Sequence, residues 1–267
     1  MNESYVKKLF CLDGKNAVVT GASSGIGRAI ARSLANFGAE VTLVGRSVQG
    51  LALTRQLIEQ DGGICHEYVL DISDPEAQDR FFDEYMQQNE RLDIFIANAG
   101  INIRSELPDV TREDMEKLLH TNYMGTLQGM IRAANIMKPQ RSGNIVVITS
   151  INGLSPLINQ AVYSSIKAGL ESAMRSMAGS MAAYGVRVNS CAPGCVHSAG
   201  NAHIFDKEQF RKAKEAAIPL GKIGDPEDIG DVVATMVSDA YRFMTGNTVL
   251  VDGGELIRPK QQQPTTC

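Results

Sequence analysis

Apolar residues gather along this chain in short unbroken runs rich in valine and isoleucine. Longer stretches between them repeat their apolar positions at helical spacing. NAVVT at 16–20, AEVTLV at 39–44, ICHEYVL at 64–70 and LDIFIAN at 92–98 read as strands, and so do NIVVIT at 144–149, VRVNSCA at 186–192 and NTVLV at 247–251. The intervening segments read as helices. One opens at GIGRAIARSLANFG and ends at Gly38; the next ends near Gly62 and Gly63. Asp74 caps a third, with Pro75 at its first position, running towards Asn89. A long helix is expected from Thr111, stopping before Pro139. Others cover 160–184, 203–217 and Pro226 to about Asp239. Strands apolar on both faces, separated by helices, imply a parallel sheet covered on both sides. Right-handed crossovers make this an α/β, doubly wound, Rossmann-like sheet in a single domain. Ligands bind such sheets beyond the carboxyl ends of the strands.

The first strand runs straight into TGASSGIGRAIA. Gly21, Gly25 and Gly27 stand between strand and helix, where the backbone must turn tightly and where a helix N-terminus offers unpaired N–H groups to a pyrophosphate. The spacing is G-x-x-x-G-x-G. The second strand ends in LVGRS, which places Arg46 where an acidic residue would hold a ribose 2′-hydroxyl. A guanidinium suits a 2′-phosphate instead, so NADP(H) is preferred and NAD(H) stays open. A solvated arginine at a loop start is the plainer reading.

A second stretch, AVYSSIKAGL at 161–170, sets Tyr163 and Lys167 one helical turn apart on one face. A free tyrosine has a pKa near 10, and a neighbouring cation stabilises tyrosinate. The pair therefore suits proton exchange with a substrate oxygen, although a half-buried tyrosine beside a solvated lysine fits the spacing equally.

Composition narrows the remaining classes. The 267 residues are 43% hydrophobic and 21% charged, with a formal net charge of −4. No Lys/Arg-rich run points to nucleic acid. The start MNESYVKKLF has no apolar core of a signal peptide, and no apolar run nears the length of a membrane span. The five cysteines, Cys11, Cys65, Cys191, Cys195 and Cys267, show no disulfide framework, and reduced thiols in a cytoplasmic protein fit best. Pro193 and Gly194 lie between Cys191 and Cys195, no Cys/His pair completes a metal site, and none is expected. Residues 1–13 read as an N-terminal extension, 14–256 as the domain, and 257–267 as a polar tail.

Eight motifs in order make the chain resemble the short-chain dehydrogenase/reductase family over nearly its whole length. They are TGASSGIG at 20–27, DIS at 71–73, ANAG at 97–100, Asn122 in LLHTNYMG, TS at 149–150, YSSIK at 163–167, PGCVHS at 193–198 and TGNTVLVDGG at 245–254. The resemblance implies a seven-stranded sheet, a homotetramer (or dimer), and a catalytic group of Asn122, Ser150, Tyr163 and Lys167. In that group Tyr163 is general acid in reduction and base in oxidation. Ser150 bonds the substrate oxygen as charge develops, and Asn122 anchors a water that relays protons from Lys167. Lys167 also holds the nicotinamide ribose. The cofactor is implied along the turn Gly21, Ser23, Ser24, Gly25, Ile26 and Gly27, with Asp71 and Ile72 at the adenine. Asn98, Ala99 and Gly100 follow the ribose and pyrophosphate, and Pro193, Gly194, Val196 and Ser198 surround the nicotinamide. The chain departs from the family at Ala97, where a second asparagine is commoner, and at Ser24, where many NADPH users carry a base.

For the substrate, the segment 196–220 should form a lid. It is polar, which argues against a large apolar substrate. Asn152 lines the neighbouring loop, and Arg104 stands just past the fourth strand, where it could receive a carboxylate in bidentate fashion. A surface arginine is the alternative. The family's sugar-acid and polyol dehydrogenases, gluconate 5-dehydrogenase among them, carry basic residues in this loop and supply the preferred substrate class. A 3-oxoacyl thioester reductase is the runner-up. A dinucleotide-binding sensor without turnover is a remote third.

Overall fold

The computed structural model describes residues 2–197 and 207–257. Seven strands form one parallel sheet in the order β3-β2-β1-β4-β5-β6-β7. They are β1 (Asn16–Thr20), β2 (Glu40–Gly45), β3 (Cys65–Val69), β4 (Ile94–Ala97), β5 (Gly143–Ile148), β6 (Val186–Pro193) and β7 (Thr248–Val251). The chain reverses its direction of winding between β1 and β4, which puts the ligand crevice of a doubly wound sheet above those two strands.

The unbroken apolar runs are explained by two cores, one on each face. Val19, Leu43, Ile94 and Ile96 face helices α2 (Gly25–Asn36), α3 (Val48–Gln60) and α9 (Pro226–Val237). Their neighbours Val18, Val44, Phe95 and Val147 face α4 (Pro75–Gln88), α6 (Thr126–Gln140) and α7 (Ala161–Met181). Successive strand residues point to opposite sides, so a strand buried on both must be apolar throughout. Two short helices complete the elements named below, α5 (Arg112–Leu118) and α8 (Glu208–Ala217).

Helix starts follow the expected chemistry. Asp74 accepts from the Ala77 N–H at 2.9 Å, with Pro75 next to it. Two expectations change. The helix from Thr111 is not continuous, because Leu119–Gly125 forms a π-helical stretch between α5 and α6. Here Gly125 is pressed onto the loop after β3; a Cβ on it would lie 2.3 Å from the Ile72 carbonyl oxygen. The helix also runs past Pro139 to Gln140 and ends with Arg141 in the left-handed region, φ 57°. Pro139 has no N–H to give to the carbonyl four residues before it, and the helix ends one residue later. Within the N-terminal extension, Glu3–Phe10 form helix α1, capped by Asn2, and Leu12 is buried in the core.

Helix α9 lies closely on α2. A Cβ at Gly230 would stand 2.7 Å from the Ala29 carbonyl oxygen and 2.8 Å from Ser33 Oγ. Gly230→Ala is therefore expected to overpack this contact, costing about 1–3 kcal/mol. Calorimetry should show a melting temperature several degrees below the native one; an unchanged value would mean the helices separate freely.

Candidate active site

The glycine turn after β1 is built by close approach. A Cβ at Gly21 would meet Ala99 Cα and Asn98 Nδ2 at 2.8 Å, and one at Gly27 would lie 2.1 Å from the Gly21 carbonyl oxygen. Gly21 and Gly25 have φ of 70° and 52°, where side chains are strained. Ser24 is the N-cap of α2, yet its side chain makes no capping bond, and the first turn carries no acid. The N–H groups there are left for an anion, which fits a pyrophosphate. Asn98 supports this turn: its Nδ2 donates to the Thr20 carbonyl at 2.9 Å, and its N–H to Thr20 Oγ1 at 3.0 Å. The Ala99 N–H joins it on the same hydroxyl at 3.1 Å. Ser23 helps differently, through its carbonyl, which accepts from Arg28 Nη2 at 2.5 Å. Ile26 packs on the core, and Ile72 is buried.

At the far end of the crevice, Arg46 and Asp71 meet. Arg46 Nη1 lies 3.4 Å from Asp71 Oδ2, with both side chains open to solvent. Burial works to raise the Asp71 pKa, but hydrogen bonds from Ser73, aided by Arg46, outweigh it and the net shift is downward. Two of the three residues expected at the adenosine half are thus already neighbours.

Tyr163, Lys167 and Ser150 converge at the carboxyl end of β5. Ser150 Oγ accepts from the Asn152 N–H at 3.1 Å, and the hydroxyl lies near enough to the Tyr163 phenol to favour its charged form. Lys167 is buried, with Nζ 2.8 Å from the Ile148 carbonyl and 5.6 Å from the Tyr163 ring centre. Burial pulls its pKa down to about 8, against the opposing charge of Glu171. The Tyr163 pKa is not lowered, as the sequence suggested, but raised. Burial outweighs the hydrogen bond from Ser150, and the ammonium is turned to a carbonyl rather than to the phenol.

Asn122 sits on the π-helical stretch and is fully buried. Its Oδ1 accepts from the Ile101 N–H and its Nδ2 donates to the Ile101 carbonyl, both at 2.7 Å. The side chain thus fixes the loop after β4. Gly100 stands against it, its Cβ position 3.3 Å from Asn122 Oδ1. Pro193 and Gly194 close β6 onto β7, with the Gly194 N–H donating to the Val251 carbonyl at 3.0 Å. Val196 is buried and bridges to Gly224. Ser198 lies outside the described residues, as does the 198–206 part of the expected lid over 196–220.

Of the substrate candidates, Asn152 does not stand free: its Nδ2 donates to Gln160 Oε1 at 2.7 Å. Arg104 is exposed, on the loop after β4, yet close enough to Cys195 to act on its thiol. Burial pushes that thiol up, while Lys214 and, more weakly, Arg104 pull it back. A cavity of about 180 Å³ lies alongside, lined by Cys195, Val196, Leu220, Ile229 and Val251 among others.

The sequence reading missed Glu171, which is 2% exposed and hydrogen-bonded to three hydroxyls. The signal was present, since Tyr163, Lys167, Glu171 and Arg175 repeat every four residues on one helix face. It also missed the Cys195–Glu255–Lys214 group, whose parts lie far apart in the chain. Among the described residues no cluster could hold a metal ion, and no helix is long and apolar enough to cross a membrane.

The family model described as enoyl-(acyl carrier protein) reductase matches residues 21–255. The chain is 34% identical to 3beta-hydroxysteroid dehydrogenase 1 of Eggerthella lenta, over 93% of this chain and 96% of that protein. It is equally, 34%, identical to 2-dehydro-3-deoxy-D-gluconate 5-dehydrogenase of Bacillus subtilis, over 95% and 99%. A solved structure of a 3-oxoacyl (acyl-carrier-protein) reductase from Agrobacterium tumefaciens, with NADP bound, superposes with a TM-score of 0.89 at 32% identity, covering 94% of this chain and 98% of that one. With its sheet order, glycine turn and Ser–Tyr–Lys group, the chain belongs to the short-chain dehydrogenase/reductase family, oxidoreductases that act on the CH–OH group of their substrates.

Proposed function

We propose that this protein interconverts a secondary alcohol and a ketone, with NADP(H) as cofactor and Tyr163 as general acid and base. The observation that carries the reading is the convergence of Tyr163, Ser150 and Lys167 at the end of β5. The bound nicotinamide supplies or accepts the hydride. Ser150 and Tyr163 present two hydroxyls to the substrate oxygen. Burial holds the phenol protonated near neutral pH, which suits proton donation to a ketone oxygen. Lys167, with a pKa of about 8, keeps its charge at neutral pH and steadies the phenolate left behind. Asn122 fixes the loop that carries Ile101, and would anchor the relay water through its own backbone, since its side chain is engaged.

The uncapped start of α2, from Gly21 and Ser23 to Gly27, would take the pyrophosphate. Arg46 would exchange its exposed contact with Asp71 for a 2′-phosphate; the NADP bound to the Agrobacterium tumefaciens reductase supports this preference. For the substrate, Arg104 on the loop after β4 favours an anionic sugar acid, in keeping with the Bacillus subtilis relative. A 3-oxoacyl thioester is the second reading, favoured by the Agrobacterium tumefaciens reductase. A homotetramer is supported by apolar side chains left open on α5 to α6, including Met115, Leu119 and Ile131, and by Phe243 and Leu250 near the β7 edge. Four free cysteines among the described residues accord with a reducing cytoplasm.

NADPH oxidation with a 5-keto sugar acid, an acetoacetyl thioester and a cyclic diketone tests these points together. Turnover of the keto acid is expected, abolished in Tyr163→Phe. Arg46→Ala should raise the KM for NADPH about tenfold or more while sparing that for NADH. Arg104→Ala should raise the KM for the keto acid with little change in kcat. Turnover of the thioester alone would remove the sugar-acid reading, and full activity in Tyr163→Phe would remove the mechanism. Light scattering is expected to give four times the 28.9 kDa chain mass; a monomer mass would refute the assembly.

A further inference from the structure

Three consecutive residues at the end of β5 each engage one residue of α7, and the α7 partners are spaced four apart. The Ser150 hydroxyl neighbours the Tyr163 phenol, the Ile148 carbonyl accepts from Lys167 at 2.8 Å, and Thr149 Oγ1 donates to Glu171 Oε1 at 2.6 Å. The third contact belongs to a larger knot. Ser190 Oγ on β6 lies 2.9 and 3.0 Å from the two Glu171 oxygens, and Thr248 Oγ1 on β7 donates to Oε2. Arg175 Nη2 reaches Oε2 at 3.4 Å from the next turn of α7. Three strands, β5 through the residue that follows it, β6 and β7, are thus tied to one carboxylate.

Glu171 is 2% exposed and Lys167 is 5% exposed, one turn apart on the same helix. A carboxylate taken out of water is costly, and an apolar residue of the same size would pack α7 onto the sheet without that cost. What a hydrocarbon could not supply is a fixed negative charge beside a buried ammonium. Glu171 meets four donors and, as a carboxylate, can accept from each, so its place and orientation are held.

We propose that Glu171 is a positioning residue of this site: anchored by Thr149, Ser190 and Thr248, it fixes α7 against the three strands and sets its negative charge one helical turn from the Lys167 ammonium. This rests on the reading of Lys167 and Tyr163 as the catalytic pair. The other titratable groups around it are Tyr163 and Arg175 on α7, and Cys191 on β6, whose thiol is pushed up to about 12 by burial and by Glu171 itself. Tyr123, from the π-helical stretch, stands against Gly169 of the same helix.

The test is a double-mutant cycle in thermal stability, run on the full chain at several pH values. Lys167 has a folded pKa near 8, below its ordinary 10.5, so the unfolded chain binds the extra proton between those values. Its cost to stability is therefore present below about pH 8 and fades as pH rises towards 10.5. At pH 7, E171Q is expected to lower the melting temperature by about 3 °C more in the native background than in Lys167→Met. By about pH 10, with Lys167 neutral, that excess should vanish. The Lys167→Met background cancels the effect of Glu171 on Cys191. Equal losses in both backgrounds at pH 7, or an excess that persists unchanged at pH 10, would overturn the proposal and leave Glu171 a packing contact. Should E171Q fail to fold, Glu171→Met, which fills a similar volume, runs the same cycle. The cycle reads the charge on Lys167 and not turnover. Its failure is thus separable from loss of the catalytic reading, which the Tyr163→Phe assay decides.

Discussion

The seating of α7 against the end of β5 is the contact on which the site depends. Residues 148, 149 and 150 are consecutive in an extended chain, so their side chains and carbonyls point in alternating directions. Residues 163, 167 and 171 line one face of a helix. The two periodicities meet only if the helix crosses the strand end at one register. Shifting α7 by one residue would turn Tyr163, Lys167 and Glu171 away together. The apolar face of the same helix, with Ile166, Leu170 and Met174 in the core, holds the register from below.

Burial then sets the chemistry. The same dry surroundings that push the Tyr163 phenol up pull the Lys167 ammonium down to about 8. Both shifts have one cause, the loss of water around a charge, and they act in opposite directions because one group is charged when protonated and the other when not. The result is a protonated phenol beside a lysine that still carries its charge at neutral pH. The nearby carboxylate of Glu171 opposes the second shift. At the other end of the crevice the balance is different. Arg46 and Asp71 are exposed, their ion pair is weak, and the arginine can change partners at little cost.

Much of this was legible in the chain itself. The parallel sheet followed from strands apolar on both faces, and each expected strand lies within a residue or two of the observed one. The glycine turn, Asp74 as a cap and the Tyr163–Lys167 face were local patterns, which a sequence states directly. The π-helical stretch at Leu119–Gly125 was not, because it answers to Gly125 meeting Ile72, residues far apart in sequence. The burial of Leu12 likewise depends on partners that come later, among them Phe37, whose carbonyl accepts from its N–H.

The sequence alone determined the elements, their order and the residue types that meet at the strand ends, since these rest on short-range periodicity and on which side chains water excludes. The tertiary structure decided the direction of the Tyr163 shift, the partner of Lys167, the engagement of Asn122 and Asn152 with neighbouring groups, and the knot around Glu171. Each of those depends on solvent exclusion and on distances between segments many residues apart, and no spacing along a chain encodes either.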